Sequence, residues 1–355
     1  MPERPRVLHM GPDPAIGGGM AAALRALLES PLADGYELEV LPTYRGPDPL
    51  ARLTVYLAAL ARLVLWSLRG RGRIVHVHAT VRGSSYRKAV CVLLAKALRR
   101  RVVLQIHSGA GDIAAFRASL DRPRRRLFAA AFGAADVVVA VSDASAAALR
   151  QAYGLADVGV VPNAAPSVAA FARPAAGPSG PEALYLGGFA NPAKGGDVML
   201  AALRLALAAE PALRVTLAGP GELPPAGAEL VAAHPGLAWA GWLEPERKDE
   251  LMRGAEILVL PSRSEGLPMA LLEGMAYAMA VLATAVGGIP ETIDDGVEGV
   301  LVAAEEPAAL ATALLGLAAD GELRRSLAAA ARTRAESLDA TEVAGRLAAI
   351  YARLD

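Results

Sequence analysis

PSRSEGLPMALLEGMAYAMAVLATAVGGIPE, residues 261–291, is the stretch from which the fold can be predicted. An apolar strand, Ile257–Leu260, is expected to end where this stretch begins and to be followed by a polar loop. A helix is predicted from about residue 268 to Ala278, and a second buried strand from Val281 to Ala285. A strand, a loop, a helix and a strand in this order favour a parallel sheet.

Two carboxylates, Glu265 and Glu273, lie in this stretch with seven residues between them. Glu265 follows a strand, where open α/β sheets bind ligands, and Glu273 lies far enough into the helix to face the same crevice. A carboxylate can accept hydrogen bonds from both hydroxyls of a sugar diol. The amides of Gly266 and Leu267 at the predicted helix start are expected to hold an anion. Together these features indicate a nucleotide sugar, although two glutamates at this spacing also occur by chance as solvated charges.

The pattern resembles the donor-site signature of retaining family-4 glycosyltransferases, in which two such glutamates lie between a Pro-Ser turn and a buried Ala-Thr strand. The resemblance implies the GT-B fold, an α/β architecture of two Rossmann-like doubly wound domains that face each other across a cleft. The chain departs from the family at Ala278 and Ala280, where Gly and Pro are usual. Both positions are expected in the turn between helix and strand, so they concern the turn geometry more than the carboxylates.

The distribution of residue types along the chain predicts two domains, for which 355 residues are sufficient. A stretch rich in proline and small residues follows Asn163 and is typical of an interdomain linker. We predict an acceptor-binding domain over 1–164, a linker over 165–182 and a donor-binding domain over 183–335. By analogy with the family, a C-terminal helix within 336–355 is expected to return to the first domain.

Composition argues against a secreted or membrane-spanning protein. Apolar residues make up 54% of the chain, but alanine supplies much of that fraction and aromatic residues only 5%. The longest apolar run, Leu53–Leu68, contains Arg62 and is expected to be too short and too interrupted to span a bilayer. The first residues, MPERPRVLHMG, are predicted to begin a strand rather than a signal peptide. The single cysteine, Cys91, excludes an internal disulfide and favours a cytoplasmic location.

The net charge is zero, but the two halves of the chain carry opposite charge. Residues 1–165 hold 22 Lys and Arg against 12 Asp and Glu, a balance of +10, and residues 166–355 hold 14 against 24, a balance of −10. The basic half concentrates its charge at 69–73, 99–101 and 122–126. This asymmetry predicts an anionic partner, and an acidic membrane surface is favoured over nucleic acid because no nucleic-acid-binding module is evident. Soluble helices with arginine on their wet faces are the alternative interpretation.

Strand signals alternate with helical stretches through the first half and predict a doubly wound domain. They lie at Arg6–Met10, Glu37–Leu41, Ile74–His78, Val102–His107, Val137–Val141 and Val158–Val161. The loop after the first of them ends in three glycines, Gly17–Gly19, so a bound group can approach the backbone and the next helix closely. The family resemblance places the donor diphosphate against Gly18 and Gly19, and a flexible surface loop is the alternative.

Two of these strands carry histidines. His76 and His78 alternate on one strand and are interpreted as structural, and the Cys and His residues of the chain do not have zinc-site spacing. His107 ends the next strand, at the edge of the sheet where ligands bind. The family resemblance assigns to His107 a contact with a hydroxyl of the transferred sugar. A hydrogen-bonded structural histidine is the alternative.

Lys194 precedes Gly195 and Gly196 at a predicted helix start, where its ammonium and the helix amides can act on one phosphate. In the resembling family an arginine six residues earlier shares the diphosphate, and here that position is Gly188. We expect Arg263, in the loop of the first glutamate, to supply the missing charge, with weak donor binding as the alternative.

The resemblance also places the main chain of Leu243 against the nucleotide base and Trp242 at the wall of its pocket, whereas a residue of a strand core is the favoured interpretation of Trp242. It implies transfer of a sugar from a nucleoside diphosphate sugar, such as a UDP or GDP sugar, to an acceptor hydroxyl with retention. No protein nucleophile is evident, so front-face displacement is favoured, with Glu265 holding the sugar and Glu273 the ribose. Because the chain contains no Asp-x-Asp triplet, no metal or other cofactor is expected. A nucleotide-sugar-binding pseudoenzyme and a nucleotide-sugar epimerase are the alternatives.

Overall fold

The computed structural model describes residues 4–46, 48–69, 73–81, 83–166 and 181–355. The chain divides into two units, the first formed by 1–164 with 338–355 and the second by 165–337. Most of the predicted linker, 167–180, and residues 70–72 of one basic cluster lie outside the described residues. Each unit has its own sheet and its own core.

Six strands form the sheet of the first unit. They are β1 Arg6–Gly11, β2 Glu37–Pro42, β3 Ile74–Ala79, β4 Arg101–Ile106, β5 Val137–Ala140 and β6 Gly159–Val160. All pairings are parallel, in the order β2-β1-β3-β4-β5-β6. The strand order reverses between β1 and β3, and the crevice at such a reversal is where doubly wound sheets bind ligands.

Seven helices of the first unit connect these strands. They are α1 Gly19–Leu28, α2 Leu32–Gly35, α3 Pro49–Leu68, α4 Gly83–Ala97, α5 Ala110–Ser119, α6 Arg122–Gly133 and α7 Asp143–Tyr153. Side chains of α3 to α7 pack on one face of the sheet, and α1 and α2 pack on the other. Because both faces are covered, the strands β1, β3, β4 and β5 are buried along almost their whole length.

The second unit repeats this plan with a second parallel sheet. Its strands are β7 Glu182–Tyr185, β8 Arg214–Leu217, β9 Leu237–Trp239, β10 Ile257–Leu260, β11 Ala280–Thr284 and β12 Gly299–Val302. Its helices are α8 Gly196–Ala209, α9 Pro225–Ala233, α10 Pro245–Gly254, α11 Met269–Ala276, α12 Ile289–Thr292, α13 Pro307–Ala319 and α14 Gly321–Glu336. The strand order is β12-β11-β10-β7-β8-β9, so the order reverses between β7 and β10.

The last helix, α15 (Ala340–Ala352), completes the core of the first unit. The Asp339 side chain caps it by accepting hydrogen bonds from the amides of Thr341 and Glu342. Its buried residues, including Leu347 and Tyr351, belong to the same core as α1 and the sheet of the first unit. The chain therefore returns to its first unit after it has completed the second.

Helix α3 begins four residues before the apolar run Leu53–Leu68. The Asp48 side chain accepts hydrogen bonds from the amides of Leu50 and Ala51, so the helix starts at Pro49 and runs for 20 residues, about 30 Å. Among the described residues it is the one helix that is long and apolar enough to cross a membrane by length and composition. The expectation of a segment too short and too interrupted to span a bilayer concerned the run Leu53–Leu68, whereas the whole helix meets the length and composition of a span.

Candidate functional site

Glu265 and Lys194 meet at the carboxyl edge of the second sheet. Glu265 follows β10 and Lys194 follows β7, the two neighbouring strands at which the strand order reverses. The Lys194 Nζ atom lies 2.7 Å from one oxygen of Glu265 and 2.9 Å from the other. The Ser262 hydroxyl donates a further hydrogen bond of 2.6 Å to this carboxylate. Glu265 is 7% exposed, so its charge is compensated inside the protein.

Two glycines allow the loops of this pair to approach each other. Gly195 has φ +67°, and a Cβ atom there would lie 1.9 Å from the Pro261 carbonyl oxygen. A Cβ atom on Gly287 would lie 1.8 Å from the carbonyl oxygen of Glu265. Larger residues at either position would push the backbones apart. Glycine therefore sets the distance between Lys194 and Glu265.

The second predicted carboxylate, Glu273, forms a separate pair with Lys248 of α10. Lys248 Nζ lies 2.6 Å and 2.5 Å from the two oxygens of Glu273, which is largely buried on α11. Sequence reasoning missed Lys248, because 25 residues separate it from Glu273 and a lysine in a polar helix carries no signal of its own. The second unit thus holds two lysine–carboxylate pairs rather than two free carboxylates.

The amides predicted to bind an anion precede helix α11 instead of lying inside it. The helix begins at Met269 after Pro268, so Gly266 and Leu267 belong to the loop that carries Glu265. Both residues are buried, and the carbonyl of Gly266 accepts a hydrogen bond of 2.7 Å from the amide of Gly288. This bond joins the Glu265 loop to the turn that follows β11.

Leu243 and Trp242 follow β9, which ends at Trp239. The side chain of Trp242 is 51% exposed, so the interpretation of this residue as part of a strand core was wrong. Gly241, with φ +66°, turns the chain immediately after the strand and carries Trp242 out of the sheet. Trp242 is therefore available on the surface of the second unit, beside the main chain predicted to meet the nucleotide base.

In the first unit, the glycine loop opens helix α1 as predicted. Gly18 is the residue before the helix and has φ +112°, and Gly19 is its first residue. No side chain caps this helix start, and a Cβ atom on Gly18 would meet no heavy atom within 4 Å. The first amides of α1 are therefore not covered by a capping side chain, and α1 is long enough to favour an anion there.

His107 lies directly after β4 and ends a chain of hydrogen-bonded imidazoles. Its Nε2 atom lies 3.1 Å from Nδ1 of His78, and Nε2 of His78 lies 3.0 Å from Nδ1 of His9. His76 stacks on His78 with ring centres 4.2 Å apart, and its Nδ1 atom lies 2.6 Å from the hydroxyl oxygen of Tyr351 on α15. Four of the five histidines of the chain therefore share one side of one sheet.

Burial keeps these imidazoles neutral. It lowers the pKa of His9 to about 3 and that of His107 to about 4, while a hydrogen bond with Asn163 opposes part of the shift at His107. The pKa of His76 and that of His78 are lowered well below their usual range by burial and by the neighbouring histidines. Neutral rings can each donate one hydrogen bond and accept another, which is what a chain of this kind requires.

Three of these histidines, His9, His76 and His78, form the one group among the described residues with the composition of a metal site. Ligand-capable atoms of His9, His76 and His78 all lie within 4.8 Å of one another, which the sequence did not reveal because β1 and β3 are 62 residues apart. The rings do not suit a single ion, since His78 lies within about 20° of parallel to both His9 and His76. Imidazole lone pairs lie in the ring planes, so near-parallel rings do not direct them to a common centre.

A buried lysine, also missed by sequence reasoning, supports the carboxyl end of β1. Lys88 of α4 donates hydrogen bonds of 2.8 Å to the Met10 carbonyl and 2.7 Å to the Thr43 hydroxyl. Burial lowers its pKa to about 8. Lys88 thereby connects α4 to the strands β1 and β2, and it fixes the start of the loop that leads to Gly18.

Sequence models of glycosyltransferases match a large part of each unit. The sequence model described as Glycosyltransferase Family 4 matches residues 17–166, and the model described as Glycosyl transferases group 1 matches residues 180–320. The chain belongs to glycosyltransferase family 4. The prediction from the donor-site signature is therefore confirmed at the level of the family.

Curated relatives of this family-4 chain include D-inositol 3-phosphate glycosyltransferases of actinobacteria. The protein of Streptomyces griseus is 35% identical over 203 residues, which cover 54% of this chain and 43% of the relative. The protein of Streptomyces bingchenggensis is 32% identical over 243 residues, or 62% of this chain and 53% of the relative. The matched part thus spans about half the length of these relatives.

Solved structures of similar shape confirm the predicted GT-B fold. Sucrose-phosphate synthase from Thermosynechococcus elongatus superposes with a TM-score of 0.80 at 21% identity, covering 99% of both chains. HepE from Anabaena in complex with UDP-glucose superposes with a TM-score of 0.74 at 16% identity, covering 98% of this chain and all of HepE.

The departure from the family at Gly188 has a cause in the backbone. Gly188 has φ +63°, and a Cβ atom there would lie 2.3 Å from the Pro220 carbonyl oxygen. An arginine at this position would have to displace the loop after β8, so this family member cannot carry the usual cation here without rebuilding the turn. Arg263, the predicted substitute, forms ion pairs of 2.8 Å with both Asp197 and Glu305, so other carboxylates already hold its guanidinium.

The departure at Ala278 lies in the turn, but that at Ala280 does not. Ala278 has φ +51°, a conformation that glycine adopts without strain and that explains the usual residue of the family. The amides of Ala278 and Met279 bond back to the carbonyls of Met275 and Gly274, so the turn still closes helix α11. Ala280 is the first residue of β11, and its assignment to the turn was wrong.

Proposed function

We propose that the chain is a retaining glycosyltransferase that transfers a sugar from a nucleoside diphosphate sugar to an acceptor hydroxyl without a metal ion. The observation that carries this proposal is the buried Glu265 carboxylate held by Lys194 at the switch point of the second sheet. The pair combines an acceptor for sugar hydroxyls with a cation for the leaving diphosphate. Membership of glycosyltransferase family 4 supports the same assignment.

The two members of the pair have different roles in this proposal. The ammonium of Lys194 has three N–H groups, so it can bind a phosphate oxygen while it remains near Glu265. Its positive charge stabilises the charge that develops on the leaving diphosphate. With no protein nucleophile assigned, the departing phosphate takes the proton of the acceptor hydroxyl, and retention follows from attack on the same face. Glu265 positions the sugar for this step.

The second pair, Glu273 with Lys248, is proposed to hold the ribose. A ribose diol donates hydrogen bonds to a carboxylate, and Lys248 already holds Glu273 in one orientation. Leu243 and the exposed Trp242 then lie on the side of the base. HepE has been solved with UDP and with UDP-glucose, so UDP sugars are the first donors to test, followed by GDP sugars.

In the first unit, the glycine loop at Gly18 and Gly19 is proposed to contact the diphosphate, and His107 a sugar hydroxyl. Both ring nitrogens of His107 are enclosed by protein, with Nε2 beside His78 and Nδ1 buried. A contact from a ring nitrogen to the sugar therefore requires the His107 ring to turn when the donor binds.

The donor and the reaction can be tested in the purified full-length chain. Calorimetric titration with UDP, GDP, ADP and dTDP sugars in the presence of a chelator identifies the donor, and NMR of the released or transferred sugar reports the anomeric configuration. We expect one nucleotide class to bind in the chelator and to be hydrolysed or transferred with retention. Inversion, or a strict requirement for a divalent ion, would contradict the mechanism.

The same experiment separates the proposal from its main alternative. A pseudoenzyme would bind a nucleotide sugar without hydrolysing or transferring it. Gly188, which removes one family cation, is the feature that favours this alternative, whereas the intact Lys194–Glu265 pair argues against it. Donor turnover that depends on Glu265 would decide for the enzyme.

A further inference from the structure

Helix α3 of the first unit is apolar on two opposite faces. Its inner face packs Tyr56, Ala59 and Leu63 into the core. Five leucines lie on its outer face at helical spacing, each more than half exposed: Leu50, Leu53, Leu57, Leu65 and Leu68. A helix of a soluble domain normally presents polar residues on the face that points away from the core. The outer face of α3 therefore lacks the side chains that water would favour.

Two neighbouring helices of the same layer extend this apolar surface. Exposed side chains on α4 and α6 repeat the pattern: Tyr86, Val90 and Leu93 on α4, and Leu127 on α6. The Tyr56 hydroxyl of α3 donates to the Arg87 carbonyl of α4, and the Tyr86 ring of α4 meets the Phe128 ring of α6. We call the outward-facing side chains of α3, α4 and α6 the docking face.

The charge on this part of the chain has one sign. The sequences of α3, α4 and α6 contain two, three and four Lys and Arg residues respectively and no Asp or Glu. Arg62 of α3, Arg69 at its end, and Arg122 and Arg126 of α6 are exposed. An apolar stripe beside basic side chains is typical of a helix that lies in a membrane interface, with its apolar side among the acyl chains and its cations at the headgroups.

We propose that the docking face binds the surface of a membrane that contains acidic lipids, with α3 lying in the plane of the interface. The inner face of α3 belongs to the core of the first unit, so the helix cannot cross a bilayer without unfolding that unit. A second copy of the chain is a poorer occupant, because a symmetric contact would place basic surfaces against each other. An acidic leaflet offers acyl chains to the leucines and anionic headgroups to the arginines.

This proposal goes beyond the glycosyltransferase assignment and does not depend on it, because docking is measured without donor or acceptor. The test is flotation of the full-length chain with vesicles of phosphatidylcholine, alone or mixed with phosphatidylglycerol. We expect at least tenfold stronger binding to the mixed vesicles. We also expect this binding to fall steeply as the salt concentration rises, since screening weakens each arginine–lipid attraction.

Two sets of variants test the residues. The triple variant Leu53→Ser/Leu57→Ser/Leu65→Ser is expected to weaken binding to mixed vesicles at least tenfold. The double variant Arg62→Gln/Arg126→Gln is expected to weaken it about twenty-fivefold, because each of the two basic residues contributes about fivefold to binding at an acidic surface. The matched control is Leu205→Ser/Leu323→Ser, which removes exposed leucines of the second unit and should leave binding unchanged.

Four outcomes would overturn the proposal. The first two are equal flotation with neutral vesicles, and loss of binding in the Leu205/Leu323 control to the same degree as in the triple variant. The third is self-association through the docking face without lipid. The fourth is resistance of the bound chain to alkaline extraction, which would indicate a membrane-spanning helix. The variants change only exposed side chains, so their melting temperatures should match that of the parent. A triple variant that melts normally and still binds mixed vesicles fully would also refute the assignment.

Discussion

The two units share an architecture and differ in the charges at the ligand-binding edges of their sheets. Each has six parallel strands with one reversal of strand order. In the first unit, histidines lie along the sheet toward this edge. They are neutral because burial lowers their pKa values far below neutrality. In the second unit, Glu265 is paired with Lys194 near the reversal. One fold thus supports an edge with neutral imidazoles, where the Lys88 ammonium donates to oxygens of Met10 and Thr43, and an edge with a lysine–carboxylate pair.

The difference has a physical consequence for the reaction. A diphosphate carries negative charge that grows as the sugar leaves, so the unit with the fixed ammonium is suited to the donor. A neutral imidazole contributes hydrogen bonds but no charge, which suits hydroxyl groups. Substitution of single residues in either unit tests this difference, and the expected effects differ in size.

The largest effect is expected for Glu265→Gln. The amide keeps the size of the side chain but loses the charge that orients Lys194, and it binds sugar hydroxyls less well. We expect kcat/KM to fall between a hundredfold and a thousandfold, about 3–4 kcal/mol, as for other charged groups that act on a transition state. The matched control is Glu305→Gln, an exposed carboxylate of the same unit, which should retain most of the activity. If Glu265→Gln retained more than a third of the parent kcat/KM, the proposed contribution of the Glu265 carboxylate to the reaction would be refuted.

The histidine side of the contrast predicts acid sensitivity of folding. His9 and His107 have folded-state pKa values of about 3 and about 4, below the ordinary 6.5. Between pH 6.5 and 4 the unfolded chain therefore binds more protons than the folded chain, and stability falls as the pH falls. At pH 5.5 these two groups together cost about 3 kcal/mol relative to pH 7.5.

Chemical denaturation at the two pH values measures this loss. His76 and His78, whose pKa values are also lowered, add to the measured loss. His9→Gln should reduce the loss by about 1.4 kcal/mol, the share of one histidine, while His234→Asn, which lies outside the histidine chain, should leave the pH dependence unchanged. A parent chain equally stable at pH 5.5 and 7.5 would contradict neutral burial of the histidines.

Lys194→Ala probes the charged side through binding alone. The family pattern has two cations at the diphosphate, and this chain has Lys194 but Gly188 in place of the arginine. Loss of the Lys194 ammonium should therefore raise the dissociation constant of the donor at least tenfold, about 1.4 kcal/mol or more. Calorimetric titration measures the change. Lys96→Ala, which removes a lysine paired with Asp136 in the first unit, is the control and should bind donor normally. An unaltered titration with Lys194→Ala would refute the role of the ammonium.

The sequence predicted what depends on local pattern. Alternating strand and helix signals were sufficient for the parallel sheets, and the resemblance of the Glu265 stretch to the family signature implied the GT-B fold. Contacts between distant segments were not predictable, as Lys248 beside Glu273 and His9 beside His78 show. Neighbouring parallel strands bring His9 and His78 together, and helices α10 and α11 bring Lys248 and Glu273 together. Neither segment of a pair shows the contact by its own sequence.

Burial was the second limit of sequence reasoning. Helix α3 is apolar at spacings that fit both of its faces, so the pattern does not tell which leucines meet the core. Trp242 was assigned to a strand because it is large and apolar, yet the strand ends three residues earlier. The outer leucines of α3 and Trp242 are residue types that are usually buried, but the backbone places their side chains at the surface.

The smallest effect is expected for His78→Gln, which shortens the histidine chain without touching the charged site. His78 holds Nε2 of His107 through its own Nδ1 atom, so its loss leaves the His107 ring free to change tautomer and orientation. Because His107 is proposed to meet the sugar and not the diphosphate, we expect kcat to fall about threefold, about 0.65 kcal/mol, with the dissociation constant of the donor unchanged. Steady-state kinetics with a calorimetric titration separates the two quantities. A fall in donor affinity with constant kcat would place His78 among the groups that hold the diphosphate, and the division between a neutral and a charged unit would then be lost.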